Sequence, residues 1–435
     1  MLWKLGAGVP LLLAGSSVHA LVTAIRVEGS GLSRADDAFL NELERATFRY
    51  FSDFAHPETG LVKDRNHVTR EDKREIASIA ATGFGLTALC IADGRGWLPR
   101  GEARQRARTA LQFLGERMPH EHGFFYHFVN WQTGEREWKC ELSSIDTAIL
   151  LCGVLTCRQY FRDSQIRKWA DEIYDRMDWV WMMNGGELLS HGWKPESGFL
   201  KYRWDTYCEH MMLYLLAIGA KRHPIPAATW ENWKRPRFEY GGLRYISAPD
   251  PLFVHQYSHA WFDFRGQHDR HADYFENSVI ATKAHRAFCL SLANRFPHFR
   301  EDVWGITASD SRKGYVVWGG PPELGPIDGS IVPSAVAGSL PFLATECMRC
   351  LQTLREQYGS QAWTRYGFAD AFNPADGWVG PDIIGINAGI TLLMAENART
   401  GFVWQTFMKN REIVNALKNV GFRAAKVKAT GALRR

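Results

Sequence analysis

Apolar residues recur at helical spacing along almost the whole chain, and this constrains the fold more than any other feature. Helices are predicted at 36–54, 76–93, 101–117, 143–161, 164–182, 204–219, 270–295, 334–354, 384–399 and 403–420, with shorter ones near 228–235 and 252–262. Strand signals are scarce; short hairpins around 122–131 and 238–247 are the best. No strict repeat at a fixed period appears, so a regular solenoid is not expected. Helices in this number, joined by alternating short and long connections, predict an all-α chain. The expected architecture is a single (α/α)6 barrel, a toroid whose long loops and small β-hairpins form a cleft at one end. A length of 435 residues alone suggests more than one domain, but a helical barrel of this size folds as one unit. The longest connection, 304–333, is rich in Gly, Pro and Trp. A stretch this long is functional or disordered, and its aromatic content argues for function.

Lys and Arg number 52 against 47 Asp and Glu, a net charge of only +5, and no basic stripe crosses the body of the chain. Nucleic acid is therefore excluded as the expected partner. The N-terminus, MLWKLGAGVPLLLAGSSVHALV, has one Lys, a short apolar run and then Val18-His19-Ala20. That pattern is expected of an export signal over 1–20, followed by a linker over 21–35, a catalytic domain over 36–420 and a basic tail over 421–435. The apolar run is too short to span a bilayer and no other segment is long enough, so no stable membrane insertion is expected. The expected location is periplasmic or secreted, in a bacterium, and the expected state is a monomer. Cys90, Cys152, Cys157, Cys208 and Cys289 lie in apolar helical stretches, where free buried thiols are the commoner state. Cys347 and Cys350 form a lone C-x-x-C, weak evidence for zinc or redox chemistry.

Aromatic residues are the compositional outlier, with 17 Trp, 14 Tyr and 25 Phe. Trp131, Trp138, Trp193, Trp304, Trp318 and Trp378 sit in Gly/Pro/Asp-rich connections rather than on apolar helical stripes. Indole faces beside carboxylates suit sugars, whose C–H faces stack on rings while their hydroxyls take hydrogen bonds. The competing reading is that these rings plug the ends of a large helical fold.

Two segments place carboxylates at helix mouths. In WKCELSSIDTA, Ser143 followed by Asp146 resembles a capping box. Yet Ile149, Leu150 and Gly153 follow Asp146 at helical spacing, so Asp146 lies on the inward stripe, with Glu141 at the rim of the same helix end. In RWDTYCEHMMLYLLAIG, Asp205 can cap a helix and Glu209 is one turn in, heading the stripe Met212, Leu213 and Leu216. A carboxylate there is costly to bury unless paired, protonated or ligand-bound. Desolvation would raise its pKa, as a general acid near neutral pH requires; a salt bridge to an inner Arg or Lys is the structural alternative. Two carboxyl sources at two mouths match glycosidic cleavage, in which one protonates the leaving oxygen and the other activates water or attacks the sugar. His268 and His271 lack a companion ligand set, so no metal is expected, and no other cofactor is implied. Walker, dinucleotide and G-x-S-x-G motifs are lacking.

The ordered segments ELSSIDTAILLCG, SHGWKPESGFLKYRWDTYCEHMMLYLLAIGA, SHAWFDFRG, WGITASD, IDGSIVPSAVAGSLPF and GINAGITLLMAENARTGFVW resemble the bacterial glycoamylase-like domain, closest to the endo-β-1,2-glucanases of glycoside hydrolase family 144. The resemblance spans roughly 36–420 and implies one (α/α)6 barrel and inverting endo-hydrolysis of linear β-1,2-glucan to short sophoro-oligosaccharides. It implies Glu209, Glu141 and Asp146 as the catalytic carboxylates, Glu209 being the expected acid and the Glu141/Asp146 pair the base side. Substrate binding is implied for Asp64, Arg65, Trp138, Trp193, Trp204, His259, Asp263, Trp304, Asp310, Asp328 and Trp378. Cys140 departs from the pattern, where a smaller residue is expected before the glutamate. The partner expected is thus a β-glucan oligo- or polysaccharide. Two other readings stand beside this one: a transglycosylase or glucosidase on another glucan with the same fold, and a non-catalytic glucan-binding envelope protein.

Overall fold

The computed structural model describes residues 32–425 apart from 324. The expected export segment and the last residues of the basic tail lie outside the described residues. Fourteen α-helices are present among the described residues: α1 (Arg34–Asp53), α2 (Ile79–Arg95), α3 (Glu102–Glu116), α4 (Ser144–Tyr160), α5 (Ser164–Asp175), α6 (Trp179–Met183), α7 (Met211–Gly219), α8 (Thr229–Asn232), α9 (Tyr274–Ser291), α10 (Pro333–Ala337), α11 (Ala344–Ala362), α12 (Gly385–Thr400), α13 (Phe402–Phe407) and α14 (Arg411–Asn419). None of them is long and apolar enough to cross a membrane.

The helices fall into two kinds. In α2, α4, α7 and α12 nearly every residue is buried, as expected of helices that are apolar all round. By contrast α1, α3, α5 and α14 bury one stripe and keep charged residues outward. The result is two layers. α2 packs between α4 and α12, α4 also meets α7, and α12 also meets α10. Outside them, α1 lies on α12, α3 on α2 and α5, and α14 on α7. The inner helices touch almost backbone to backbone. A Cβ on Gly153 would stand 2.1 Å from the Gly83 carbonyl oxygen, so α2 and α4 can approach this closely only with glycine there.

Short strands tie the connections together where inner helices begin. Ile76–Ser78 pairs with Phe128–Asn130 and leads into α2. Arg65–His67 pairs with Asp382–Ile384, which leads into α12. Leu142–Ser143 pairs with Gly192–Lys194, and that strand with Gly198–Phe199, ahead of α4. Three inner helices thus open at one loop-rich end.

Several boundaries differ from the expected ones. The segment expected as helix 204–219 becomes helical only at Met211, because Thr206 bridges to Lys234 and Tyr207 donates to the Lys234 carbonyl, holding the chain extended. The expected 334–354 helix divides into α10 and α11 around Gly338 and Pro341, where proline removes a helical donor. Likewise 164–182 and 403–420 each divide, at Asp178 and Asn410, which become N-caps. The 238–247 hairpin forms as Arg237–Tyr240 and Leu243–Ile246, turned by Gly241 and Gly242 at positive φ. The 122–131 segment does not pair with itself; its strand Phe128–Asn130 joins Ile76–Ser78 instead.

Candidate active site

Glu141 and Asp146 flank the start of α4, and a histidine stands between them. Ser143 caps α4, its hydroxyl accepting from the Asp146 N–H at 3.2 Å and donating to the Asp146 carboxylate at 2.5 Å. Capping and site geometry therefore coexist at Asp146. His127 directs Nδ1 to Glu141 at 3.1 Å and Nε2 to Asp146 at 3.6 Å. The hydrogen bond from His127, against the opposing effect of burial, holds Glu141 down at about 2. Burial lowers His127, but Asp146, Glu141 and Asp64 outweigh it and lift it to about 9. Two acids on opposite sides of the ring thus favour its charged form.

Glu209 faces this pair from the mouth of α7 rather than from one turn inside it. Its backbone is pinned: the Ser258 hydroxyl donates to the Glu209 carbonyl at 2.6 Å and accepts from Met212 N–H at 3.0 Å. Burial pushes the Glu209 carboxyl up to about 7, its own backbone N–H opposes this, and the charges of Asp250 and Asp146 add to the rise. Among the described residues Glu209 makes no salt bridge, and none of the main influences on it is a cation, so the salt-bridge alternative does not hold. Trp204 is buried, not a sugar platform. Its indole N–H donates to Ser144 Oγ at 2.8 Å, bracing the start of α4 behind the acids.

A third group of acids completes the end of the molecule. Arg65 binds Asp64 at 2.9 Å and Asp310 at 2.7 Å. Asp370 accepts from the Asp310 N–H at 2.9 Å and from Asn387 Nδ2 at 2.7 Å. Burial still pushes Asp370 to about 7, and burial also raises Asp310 despite its arginine. The buried Tyr257 joins the groups electrostatically: after burial itself, the charges of Tyr315, Glu209, Asp370 and Asp146 raise its hydroxyl. Tyr315, 45% exposed at the 309–316 hairpin, lies with its ring 5.8 Å from the Arg65 guanidinium.

Aromatic rings line one approach. Trp138, 64% exposed and held at φ 52°, lies 5.0 Å from Phe128. Phe128 in turn stacks on His127 at 3.9 Å. Trp193 sits on the strand paired with Leu142, its ring packed 5.8 Å from Trp181 instead. Trp378 is half-buried on the Phe372–Asn373/Trp378–Val379 hairpin, whose turn is tied to the 309–316 hairpin by Arg312–Asp376 at 2.8 Å. Cys140 is buried, its thiol engaged with the Phe128 backbone, so it stiffens the rim rather than opening it.

Three expected substrate contacts lie elsewhere, and a fourth, Asp328, commits its carboxylate to its own turn beside the Trp378 hairpin. Trp304 is wholly buried in the apolar core near α11, because its loop folds back under the helices. His259 is also wholly buried, bonded to Ser278 Oγ at 3.1 Å and pushed down to about 3 by burial. Its carbonyl accepts from Trp404, and Asp263 pairs with Arg265, which lies over the same Trp404. Trp404 follows the C-terminal end of α12, which is about 24 Å long at 1.5 Å per residue. His259 and Asp263 therefore belong to the end opposite the acids. Asp328 is exposed, and its carboxylate braces its own turn through Ser330 N–H at 2.8 Å.

His127, Tyr257, Tyr315 and Asp370 were not singled out from sequence. His127 and Asp370 had a faint signal, as lone polar residues inside the apolar runs GFFYHFV and GFADAF. The eight cysteines are free and buried. Among the described residues no group of three or more His, Cys, Asp or Glu could hold a metal ion. His271 instead pairs with Glu231 at 2.6 Å.

The chain is similar to several known proteins. The Glycoamylase family model, described as "Putative glucoamylase", matches residues 201–411. The exo β-1,2-glucooligosaccharide sophorohydrolase (non-reducing end) of Parabacteroides distasonis is 28% identical over 426 residues, 88% of this chain. The chain spans 58% of that relative's length. The solved "putative glucoamylase" of Bacteroides fragilis is 30% identical with a TM-score of 0.83, over 91% of this chain and 99% of that one. The endo-β-1,2-glucanase of Chitinophaga pinensis, solved with sophorotriose and glucose, is 27% identical with a TM-score of 0.82, over 90% of this chain and 99% of that one. With an acid-lined, helix-mouth site and relatives matched over nine-tenths of its length, the chain belongs to the glycoamylase-like family, in which its relatives include β-1,2-glucanases.

Proposed function

We propose that the protein is a glycoside hydrolase that cleaves linear β-1,2-glucan to short sophoro-oligosaccharides, by an endo mode and with inversion at the anomeric carbon. One observation carries the reading: Glu209, without a salt bridge among the described residues, is raised to about 7 by burial, while the His127 hydrogen bond holds Glu141 down at about 2. Environments that push titratable groups apart in this way separate acid from base. Glu209 protonates the glycosidic oxygen as the bond breaks. Glu141 and Asp146 take the proton from the attacking water, directly or through a sugar hydroxyl, and their negative charge favours the oxocarbenium-like transition state. Arg65, Tyr315 and Trp138 supply hydrogen bonds and ring faces to flanking sugars.

The same reading takes the fold as an (α/α)6 barrel. Its inner ring would be α2, α4, α7, the Ser258–Ala260 turn, α10 and α12. Supporting it, Ser258 bonds Met212 of α7, and Gln256 reaches the Ala335 carbonyl of α10 at 2.8 Å, linking the two ends of the inner row.

The Parabacteroides relative, named for exo action, favours a second reading in which disaccharide leaves from the non-reducing end. Mass spectrometry of products from linear β-1,2-glucan separates the two. A ladder of oligosaccharides is expected for endo action, and sophorose alone for exo action. No new reducing ends from β-1,2-glucan, with cleavage of a different glucan, rejects the substrate.

A further inference from the structure

His127 is fixed by more than its two carboxylates. Its N–H donates to the Glu141 carbonyl at 3.0 Å and its carbonyl accepts from Ile79 N–H at 3.3 Å, so the backbone is held between the loop of Glu141 and the start of α2. The ring lies flat on Phe128, with 16° between planes. Rotation that would release either nitrogen is therefore opposed on two sides. Each nitrogen faces an acid. A neutral imidazole has one N–H and one lone pair, so either tautomer would aim a lone pair at a carboxylate. Only the doubly protonated ring suits both neighbours.

We propose that His127 is a positioning residue of the reaction: as an imidazolium clamped between Glu141 and Asp146, it supplies the positive charge between them and holds both side chains toward the cleft. The inference deepens the hydrolase reading and rests on it for the reaction, though not for the charge state. Other groups act on the clamp as well. Asp64 adds negative charge toward His127, Lys194 adds positive charge toward Glu141, and the Ser143 hydroxyl binds Asp146. Without the cation, Glu141 loses the hydrogen bond that holds it down and should take up a proton at a higher pH. The base side would then be silenced by acid rather than by misfolding.

Two measurements on the full chain test this. The first needs no substrate. Histidine-labelled protein is titrated by NMR, with the His127 resonance assigned from its loss in His127→Gln. The ring should remain charged through pH 7 and titrate near 9, and Glu141→Gln should lower that midpoint by about one pH unit or more. A midpoint at or below about 6.5, the ordinary histidine value, overturns the proposal. The second is the pH profile of kcat and KM on β-1,2-glucan. His127→Gln should move the acidic limb up by more than about one unit, with the loss of kcat confined to the acidic end of the profile. KM and the alkaline limb should stay. An even loss of kcat across the profile, with the acidic limb unmoved, marks a merely structural histidine and also overturns the proposal. Should His127→Gln not fold, the resonance is assigned from His127→Asn or from backbone correlations in the wild type, and the wild-type and Glu141→Gln titrations still decide the charge. A wild type that cleaves no β-1,2-glucan rejects the substrate assignment and leaves the NMR result standing.

Discussion

Raising the pH from 6 to 8 should slow the enzyme by only about tenfold, with the fall centred near 7. In the proposed reaction Glu209 must carry a proton, so that the leaving oxygen does not depart as an alkoxide. With its carboxyl near 7, about nine-tenths of Glu209 is protonated at pH 6, half at pH 7 and about one-tenth at pH 8. An ordinary glutamate near 4.5 would be protonated only about one part in 300 at pH 7. Burial thus supplies about 150-fold more competent acid at neutrality. The profile separates the cases cleanly. A raised Glu209 gives a plateau below about pH 6.5, whereas an ordinary one gives a tenfold fall per pH unit from about pH 5 upward. Initial rates of reducing-end release between pH 4 and 9 at low glucan concentration read this directly. Asp250→Asn removes a charge that raises Glu209, so the alkaline limb should move to lower pH. Asp370 is raised to a similar value, so Asp370→Asn is the needed control, and the limb should keep its position in that variant. A limb below about pH 5.5 in the wild type, or one that moves with Asp370 and not with Asp250, would refute the assignment.

Arg65→Ala should raise KM and cost up to about 3 kcal/mol in urea unfolding, because it strands Asp64 and Asp310 without their shared cation, in a place still partly open to water. Gly153→Ala should lower the melting temperature, at a cost of about 1–3 kcal/mol, by forcing a methyl against the Gly83 carbonyl at 2.1 Å. Glu44 is wholly buried beside Arg399 and Glu396, and burial followed by the Glu396 charge raises its carboxyl well above the ordinary value. A raised carboxyl contributes stability that is full below its unfolded pKa and lost as pH rises through the folded one. The melting temperature of Glu44→Gln relative to wild type should therefore become more favourable from pH 4 to pH 8, measured by calorimetry.

The inner helices were legible because burial on all sides leaves a run such as ILLCGVL with no polar face, and Asp146 and Glu209 were legible as acids heading such runs. A helical period reports which face points inward; it does not report which end of the helix a residue occupies. His259 and Asp263 show the consequence: their segment is an inner one, but they sit toward its far end, beside Trp404. Trp304 and Trp204 show another. A tryptophan in a Gly-rich connection can stack on a sugar or roof the core, and composition is the same in both cases. His127 and Asp370 stayed hidden because their partners are 14 and 60 residues away in the chain, and their importance arises only from those contacts.

The central claim is that Glu209 delivers the proton, and replacing it by glutamine tests that most directly, since glutamine keeps the shape and removes the acid. Reducing-end assays on linear β-1,2-glucan should show kcat reduced by about 10²–10⁴-fold, the range for loss of a general acid, with binding of sophoro-oligosaccharides by calorimetry little changed. A Glu209→Gln protein that turns over glucan within about twofold of the wild type would contradict the account.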